Sequence, residues 1–383
     1  MKKSAKGLYK SAVGPFVPPA MTELIGSRGL DVIRRIGVDE VKQVMADVLC
    51  GVNLRDSTEL LTRRRIAMLN AATLVLFLRG VAASKRFLED LPRMAVEGLR
   101  DHPSKQELWL LQWMLGLTTK GVQNILRDSR HALDRYTEQF AATNAAVIQQ
   151  CLREFGPVAG VLRVDGDREI SVSWELLLSL FCAIGSQTLA IRGSEKSTYG
   201  KLFERLVLGS VLQILGFKHE SYPPKHQVKV FWLSSRLGKR ESDATILIGP
   251  GKAIRMDIGF IGRGNPEISK DKVSRFERQM EVDGQEYYSA TFVIVDRVGE
   301  RSKLVEQAQS INGTIIQMSM SHWPRELARA LYEKTGYTSR IRSISDAAIE
   351  VWLRRAAEQI NIEKLVEATS ELISSEKDDE AES

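Results

Sequence analysis

The spacing of apolar residues changes once along the chain. From Asp39 to about Phe155, apolar residues recur every three or four positions, which is the spacing of one helix face. The segments with this spacing are residues 41–49, 60–78, 85–99, 104–115, 120–140 and 143–155. The first thirty or so residues are rich in Gly, Pro and Ser and predict an irregular arm. The pattern therefore predicts a mostly helical N-terminal domain over residues 1–158.

Beyond residue 158, strand and helix periods alternate. A hairpin is predicted around Asp165-Gly166, followed by a buried helix over residues 174–190 and an amphipathic helix over 197–216. The next predicted elements are three strands (227–233, 244–248 and 253–261), a helix (266–280), a strand (290–296), a helix (300–310) and a strand (313–317). This order predicts an α/β fold, with a mixed sheet flanked by helices, over residues 159–340.

The last part of the chain predicts one further helix and a tail. Residues 341–375 contain an amphipathic helix, which could pack on the core or on a second subunit. Residues 376–383 carry five acids and one lysine and predict an acidic disordered tail.

The stretch from Glu241 to Phe260 holds the candidate chemistry. Its two alternating apolar runs are separated by Gly249-Pro250-Gly251, which predicts a β-hairpin. Because side chains alternate across a strand, Asp257 shares a face with Arg255 and points away from the core side. Asp243 precedes the partner run, and a hairpin of this length can bring it near Asp257.

Two carboxylates at one place are typical of a site for a hard cation. Mg²⁺ takes oxygen ligands, usually one or two carboxylates with substrate phosphate and water, and such a site suits the hydrolysis of phosphodiesters. The alternative is a hairpin whose polar face is simply solvated. Asp243 and Asp257 alone do not separate the two interpretations, so the surrounding elements have to decide.

The segment from Gln106 to Leu126 has the pattern of apolar residues of a helix-turn-helix, with Gly116 in the turn. Its second helix would present outward the polar residues Lys120, Gln123, Asn124 and Arg127, which could contact base edges or phosphates. Gln112 stands where this motif prefers a small residue. The alternative is therefore an ordinary pair of helices joined at a glycine.

Composition and charge narrow the class of protein. The 383 residues are 43% hydrophobic and 27% charged, as in an ordinary soluble globular protein, and the net charge of +6 suggests a polyanionic partner. The three widely spaced cysteines exclude a disulfide framework and fit a reducing cytoplasm. No apolar run reaches the roughly 20 residues that span a bilayer. We therefore expect no membrane role.

The predicted order of elements, with one acid on the first helix and two on the hairpin, resembles the PD-(D/E)xK nuclease core of many type II restriction endonucleases. The run Asp257-Ile-Gly-Phe-Ile-Gly-Arg-Gly-Asn-Pro-Glu-Ile-Ser-Lys-Asp-Lys-Val-Ser-Arg-Phe-Glu is similar to restriction enzymes of the CfrBI type. The resemblance implies Mg²⁺-dependent hydrolysis of double-stranded DNA at a CCWWGG-like site. It also implies a homodimer and a companion DNA methyltransferase.

By this resemblance, Asp243 and Asp257 match the first and second acids of the motif, and Glu204 matches the acid on the preceding helix. All three are expected to bind metal. The motif lysine should stand two residues beyond Asp257, where this chain has Gly259. We expect Lys270 to take that role, with Lys272 as the alternate; the lysines could instead contact only phosphate or solvent.

Basic residues on either side of the hairpin are expected to bind DNA phosphates. They are Arg236, Lys239, Arg240, Arg255 and Lys272. The histidines form no HNH or HxH cluster, and the chain has no GxSxG or Walker sequence, which argues against other hydrolase chemistries. Two alternatives stay open: a DNA-binding regulator without chemistry, and a repair or recombination nuclease that selects DNA structure rather than sequence.

Overall fold

A computed structural model of the chain describes residues 9–26, 30–101, 103–125, 131–164, 168–221, 227–234, 242–249, 252–260, 288–297, 313–320 and 322–366. The chain divides into two compact units. Unit 1 is Met1–Val32 with Thr62–Lys196, and unit 2 is Ile33–Leu61 with Ser197–Ser383. The division differs from the predicted boundary at residue 158, because residues 33–61 belong to the second unit and residues 159–196 to the first.

Unit 1 is helical, as predicted. Its helices, some of which continue into unit 2, are α1 (Pro19–Gly26), α2 (Leu30–Ile36), α4 (Leu54–Ala83), α5 (Phe87–Arg100), α6 (Lys105–Met114), α7 (Thr119–Ile125), α8 (Ala132–Phe155) and α9 (Trp174–Ile214). Between α8 and α9 lies the predicted hairpin, formed by β1 (Val161–Val164) and β2 (Arg168–Ser171). The side chain of Ser104 caps α6 by accepting from the Glu107 N–H at 3.2 Å.

Residues 9–18 of the predicted irregular arm form turns and a short 3-10 helix (Gly14–Phe16), and the arm also contributes to the core of unit 1. Val13 and Met21 are completely buried in the unit 1 core, together with Val17 and Leu24. The carboxylate of Glu107 accepts a hydrogen bond from the Ser11 N–H at 2.7 Å. Met21 and Leu24 lie on α1, whereas Val13 and Val17 flank the 3-10 helix, so these buried positions do not share one helical period.

Helix α9 is one helix of 41 residues where the sequence predicts two. The predicted break lies near Gly193, but glycine only weakens a helix by about 1 kcal/mol, and no proline interrupts residues 174–214. Both α4 and α9 are long and apolar enough to cross a membrane by length and composition. Core helices of globular proteins have the same length and composition.

Unit 2 is built on a six-stranded mixed sheet, which confirms the predicted fold class. Its strands are β3 (Lys218–His219), β4 (Val230–Leu233), β5 (Ala244–Gly249), β6 (Lys252–Gly259), β7 (Tyr288–Val295) and β8 (Gly313–Gln317), in that spatial order. The β4–β5–β6 pairs are antiparallel, and β6–β7–β8 are parallel. The two-residue strand β3 was not predicted. The helices predicted at 266–280 and 300–310 lie outside the described residues.

The C-terminal helices complete unit 2 by packing near α3 (Val38–Leu49). They are α10 (Trp323–Thr335) and α11 (Asp346–Glu358). Arg354 of α11 is 2.7 Å from Asp47 of α3, and Leu353 beside it is fully buried. The helix predicted within residues 341–375 therefore packs on the core of its own chain rather than on a second subunit.

The connection between α3 and α4 is fixed to the end of the sheet. Gly51 has φ +90°, and a Cβ there would meet the Met320 carbonyl oxygen at 3.1 Å. Asn53 Nδ2 donates to Asp296 Oδ2 at 2.6 Å, just beyond β7. These contacts explain why residues 33–61 belong to unit 2 despite their distance from it in sequence.

Candidate active site

The hairpin brings Asp243 and Asp257 together. Ala244 of β5 pairs with Met256 of β6, so the position before Ala244 lies opposite Asp257. The Asp243 N–H donates to Asp257 Oδ1 at 2.9 Å, and the Ile258 N–H donates to Asp243 Oδ2, also at 2.9 Å. Each carboxylate is thus held by a backbone group from the other strand. The proximity predicted from strand alternation is confirmed.

The surroundings of the two aspartates differ from a solvated polar face. Asp257 is only 9% exposed, and Asp243 is half-buried. Strand β6 lies between β5 and β7, and from Ile254 to Gly259 it is buried on both faces. Two neighbouring carboxylates repel each other, and a bound cation would offset that repulsion.

The donor set of this pair fits a hard divalent cation. Each carboxylate uses one oxygen for a backbone hydrogen bond and has a second oxygen of the kind that Mg²⁺ prefers. Within the described part of the chain, no three His, Cys, Asp or Glu side chains are grouped as a metal site would need. The protein groups that fit the ion there are therefore the two aspartates.

Glu204 lies on α9, half-buried, and does not complete a three-acid group with the aspartates in the described residues. Its neighbour Arg205 donates to the Ser234 carbonyl oxygen at 2.8 Å, and the Ser234 N–H donates to the Asp243 carbonyl oxygen at 3.2 Å. This turn of α9 is therefore linked to the strand end that carries Asp243. The metal-binding role of Glu204 stays a prediction.

Arg205 also affects His219 on β3. The His219 ring lies 5.1 Å from the Phe231 ring, centroid to centroid. Burial lowers the pKa of His219, the positive charge of Arg205 lowers it further, and Glu220 opposes both effects. The sheet edge next to Arg205 therefore favours a neutral imidazole.

Of the basic residues predicted around the hairpin, the structure describes Arg255. Arg255, predicted to contact DNA, is only 8% exposed and does not extend from an open surface. Arg255 is two residues from Asp257, and side chains at this spacing on a strand share a face. The sequence alone could therefore have placed Arg255 beside the aspartates rather than among the surface cations. The remaining residues of this set lie outside the described residues: Arg236, Lys239, Arg240, Lys270 and Lys272.

The candidate recognition segment is a pair of helices, α6 and α7. Gly116 takes the turn with φ +67°, as predicted. Gln112 is buried, and its side chain accepts from the Thr119 hydroxyl at 3.0 Å, which ties the start of α7 to α6. On α7 the side chains of Lys120, Gln123 and Asn124 are exposed, whereas Arg127 lies outside the described residues.

Comparison with known proteins agrees with this geometry. The family model described as CfrBI restriction endonuclease matches residues 38–303, which include the hairpin and both aspartates. The chain is 36% identical over 343 residues to the type II restriction enzyme CfrBI of Citrobacter freundii, covering 88% of this chain and 93% of that enzyme. No solved structure matches the chain. The chain therefore belongs to the CfrBI restriction endonuclease family and is a type II restriction endonuclease, a site-specific deoxyribonuclease.

Proposed function

We propose that this enzyme hydrolyses phosphodiester bonds of double-stranded DNA at a CCWWGG-like site, using Mg²⁺ bound by Asp243 and Asp257. The observation that carries the proposal is the pair of carboxylates, each held at 2.9 Å by a backbone N–H from the opposite strand. Type II restriction endonucleases generally need a divalent metal. Oxygen ligands on two rigid strands suit Mg²⁺ among such ions.

The protein groups have separate tasks in this proposal. The backbone hydrogen bonds fix the orientation of Asp243 and Asp257, so their remaining oxygens are placed before any ligand arrives. Glu204 adds a further carboxylate from α9, and Lys270, or Lys272 in its place, orients the attacking water. A bound Mg²⁺ supplies charge that polarises the scissile phosphate and activates water.

DNA binding is proposed for two sets of basic and polar residues. The first set lies on α7 and just after it: Lys120, Gln123, Asn124 and Arg127. The second set flanks the hairpin: Arg236, Lys239, Arg240 and Lys272. Support for the first set is the exposure of its described side chains on a helix whose apolar anchor, Val122, is buried.

The cellular setting follows from the substrate. An enzyme that cuts DNA at a fixed sequence would also cut the DNA of its own cell. We therefore propose that it acts in the cytoplasm and is accompanied by a DNA methyltransferase of the same specificity.

A homodimer is proposed because apolar side chains remain exposed at one part of unit 1. Phe155 at the end of α8 is 71% exposed, and Val161 on β1 is 56% exposed. Leu152 and Val147 are spaced to lie on the same side of α8 as Phe155 and are also exposed. Nearby charges of both signs, such as Arg153 and Glu154, do not suit a polyanion. A second copy of the chain suits this surface better than DNA does.

The test of the proposed site replaces each aspartate by an isosteric neutral residue. Asp243→Asn and Asp257→Asn should each reduce cleavage of plasmid DNA in Mg²⁺ by more than about 100-fold. The reason is that loss of a direct metal ligand weakens metal binding more than loss of a residue that only supports a ligand. DNA binding in EDTA should be kept or improved, since a negative charge near the phosphate is removed.

Asp101→Asn, at an exposed position in unit 1, is the matched control and should cut like the wild type. Sequencing of the cut ends of one long natural DNA shows whether a single site is used. Cleavage by the double variant Asp243→Asn/Asp257→Asn at the wild-type rate would refute the proposed site.

A further inference from the structure

Arg255 stands beside the two aspartates on the sheet. It lies two residues before Asp257 on β6, so both side chains project from the same face, with their Cα atoms roughly 6.6 Å apart. Arg255 pairs with Thr245 of β5 and Thr291 of β7, and it is 8% exposed. A full positive charge is thus buried next to one buried and one half-buried carboxylate.

The charge of Arg255 needs a counter-charge, because a guanidinium is protonated at every pH at which a protein is folded. Among the described residues of β5, β6 and β7 and the positions flanking these strands, the acidic residues on this face are Asp243 and Asp257. The neighbours of Arg255 across the sheet are threonines, which can accept hydrogen bonds but carry no charge. Within the described strands and their flanking positions, the two aspartates are therefore the negative charges on the face of Arg255.

The lysine of the nuclease motif is missing from the face of β6 that carries Asp257 and Arg255. Gly259 lies two residues beyond Asp257, on the same face, and offers no cationic group there. Arg255 lies at the same spacing on the other side of Asp257. A guanidinium has five N–H donors in a planar fork, so it can contact a carboxylate and a phosphate oxygen together.

We propose that Arg255 supplies a second positive charge in the active site, separate from the lysine that orients the water, by contacting the scissile phosphate beside Asp243 and Asp257. The inference rests on the proposed function and extends it to one more residue. It also limits the chemistry. Arginine stays protonated, so Arg255 can bind phosphate and orient groups around it but does not take a proton from water.

The experiment measures cleavage and DNA binding for Arg255→Gln and Arg255→Lys, with Lys252→Gln as the matched control. Lys252 begins the same strand and is exposed. Arg255→Gln should reduce cleavage by more than about 100-fold and weaken DNA binding in EDTA by about 10-fold, whereas Lys252→Gln should stay within about 3-fold of the wild type in both.

Arg255→Lys separates a direct role from a structural one. It should keep part of the activity, because the charge is kept and the fork is lost. Arg255→Lys should therefore cut DNA faster, and bind it more tightly in EDTA, than Arg255→Gln does. A role in packing alone would not give this rescue by charge.

Several results would overturn the inference. One is a folded Arg255→Gln variant that cuts DNA within about 3-fold of the wild-type rate. If Arg255→Gln does not fold, Arg255→Lys decides, and a folded Arg255→Lys variant that cuts DNA no faster than Asp257→Asn contradicts the proposal. Loss of cleavage in Lys270→Ala with normal cleavage in Arg255→Gln would assign the role to Lys270. Full cleavage by the aspartate variants would instead refute the proposed site itself.

Discussion

His219 is a half-buried residue of the sheet whose pKa makes the stability of unit 2 depend on pH. Its ring is packed on Phe231, and Arg205 places a positive charge close by. Both effects disfavour the imidazolium ion in the folded protein. In the unfolded chain His219 regains its ordinary pKa of 6.5, so the unfolded state binds a proton at a higher pH than the folded state does.

The stability of unit 2 should therefore depend on pH through His219. The contribution of a neutral His219 is present above about pH 6.5 and is lost as the pH falls below that value, because protons then favour the unfolded state. His219→Gln should flatten the dependence of the urea unfolding midpoint on pH between about pH 7 and pH 5. His131→Gln, at an exposed position, is the control. A variant His219→Gln with the wild-type slope would contradict this assignment.

At the scale of elements, α9 is the clearest case in which the structure goes beyond the sequence pattern. Apolar periodicity predicted separate helices over residues 174–190 and 197–216. The chain instead continues as one helix through Gly193 and Gly200. A Cβ built at either glycine meets no atom within 4 Å. Neither glycine is therefore required by packing.

Replacement of these glycines should stabilise the protein. Gly193→Ala and Gly200→Ala should each raise the free energy of unfolding by about 0.5 to 1 kcal/mol, because alanine loses less backbone entropy in a helix. The control is Gly80→Ala in α4, where a Cβ would lie 2.3 Å from the Phe87 ring, so this variant should be less stable. Thermal or urea unfolding measures all three. Destabilisation by Gly193→Ala would instead support the predicted break.

The sequence allowed the hairpin and its two aspartates to be predicted, because alternation and a Gly-Pro-Gly connection are local signals. Burial of Asp257 and Arg255 could not be predicted in the same way. It depends on β6 lying between β5 and β7, and the pairing of β6 with β7 joins residues far apart in the chain. The burial of Val13 was missed for a different reason, since this residue lies in a segment without regular periodicity.

At the scale of the whole molecule, the exposed apolar residues of α8 and β1 are the basis for the proposed dimer. A duplex has two strands to cut, and the described residues of one chain provide one pair of aspartates. A two-fold dimer would supply two such pairs and would match a palindromic site.

Breaking the apolar surface should therefore change the oligomeric state. Leu152→Glu combined with Phe155→Glu should convert a dimer to monomers in light scattering at micromolar concentration, because each buried charge opposes association. Gln150→Glu, on the opposite side of α8, adds a charge without touching this surface and should leave the mass unchanged. A monomeric wild type, or a double variant that stays dimeric, would refute this interface.

The packing of α11 on α3 has a consequence for synthesis of the enzyme. Arg354 and Asp47 are separated by 307 residues, and Lys42 donates to the Glu358 carbonyl oxygen across 316 residues. During synthesis α3 leaves the ribosome early, and α11 can pack on it only when nearly the whole chain has been made. A polypeptide released before α11 is synthesised leaves the apolar face of α3 uncovered, so incomplete copies of this DNA-cutting enzyme cannot assemble unit 2 as the full chain does.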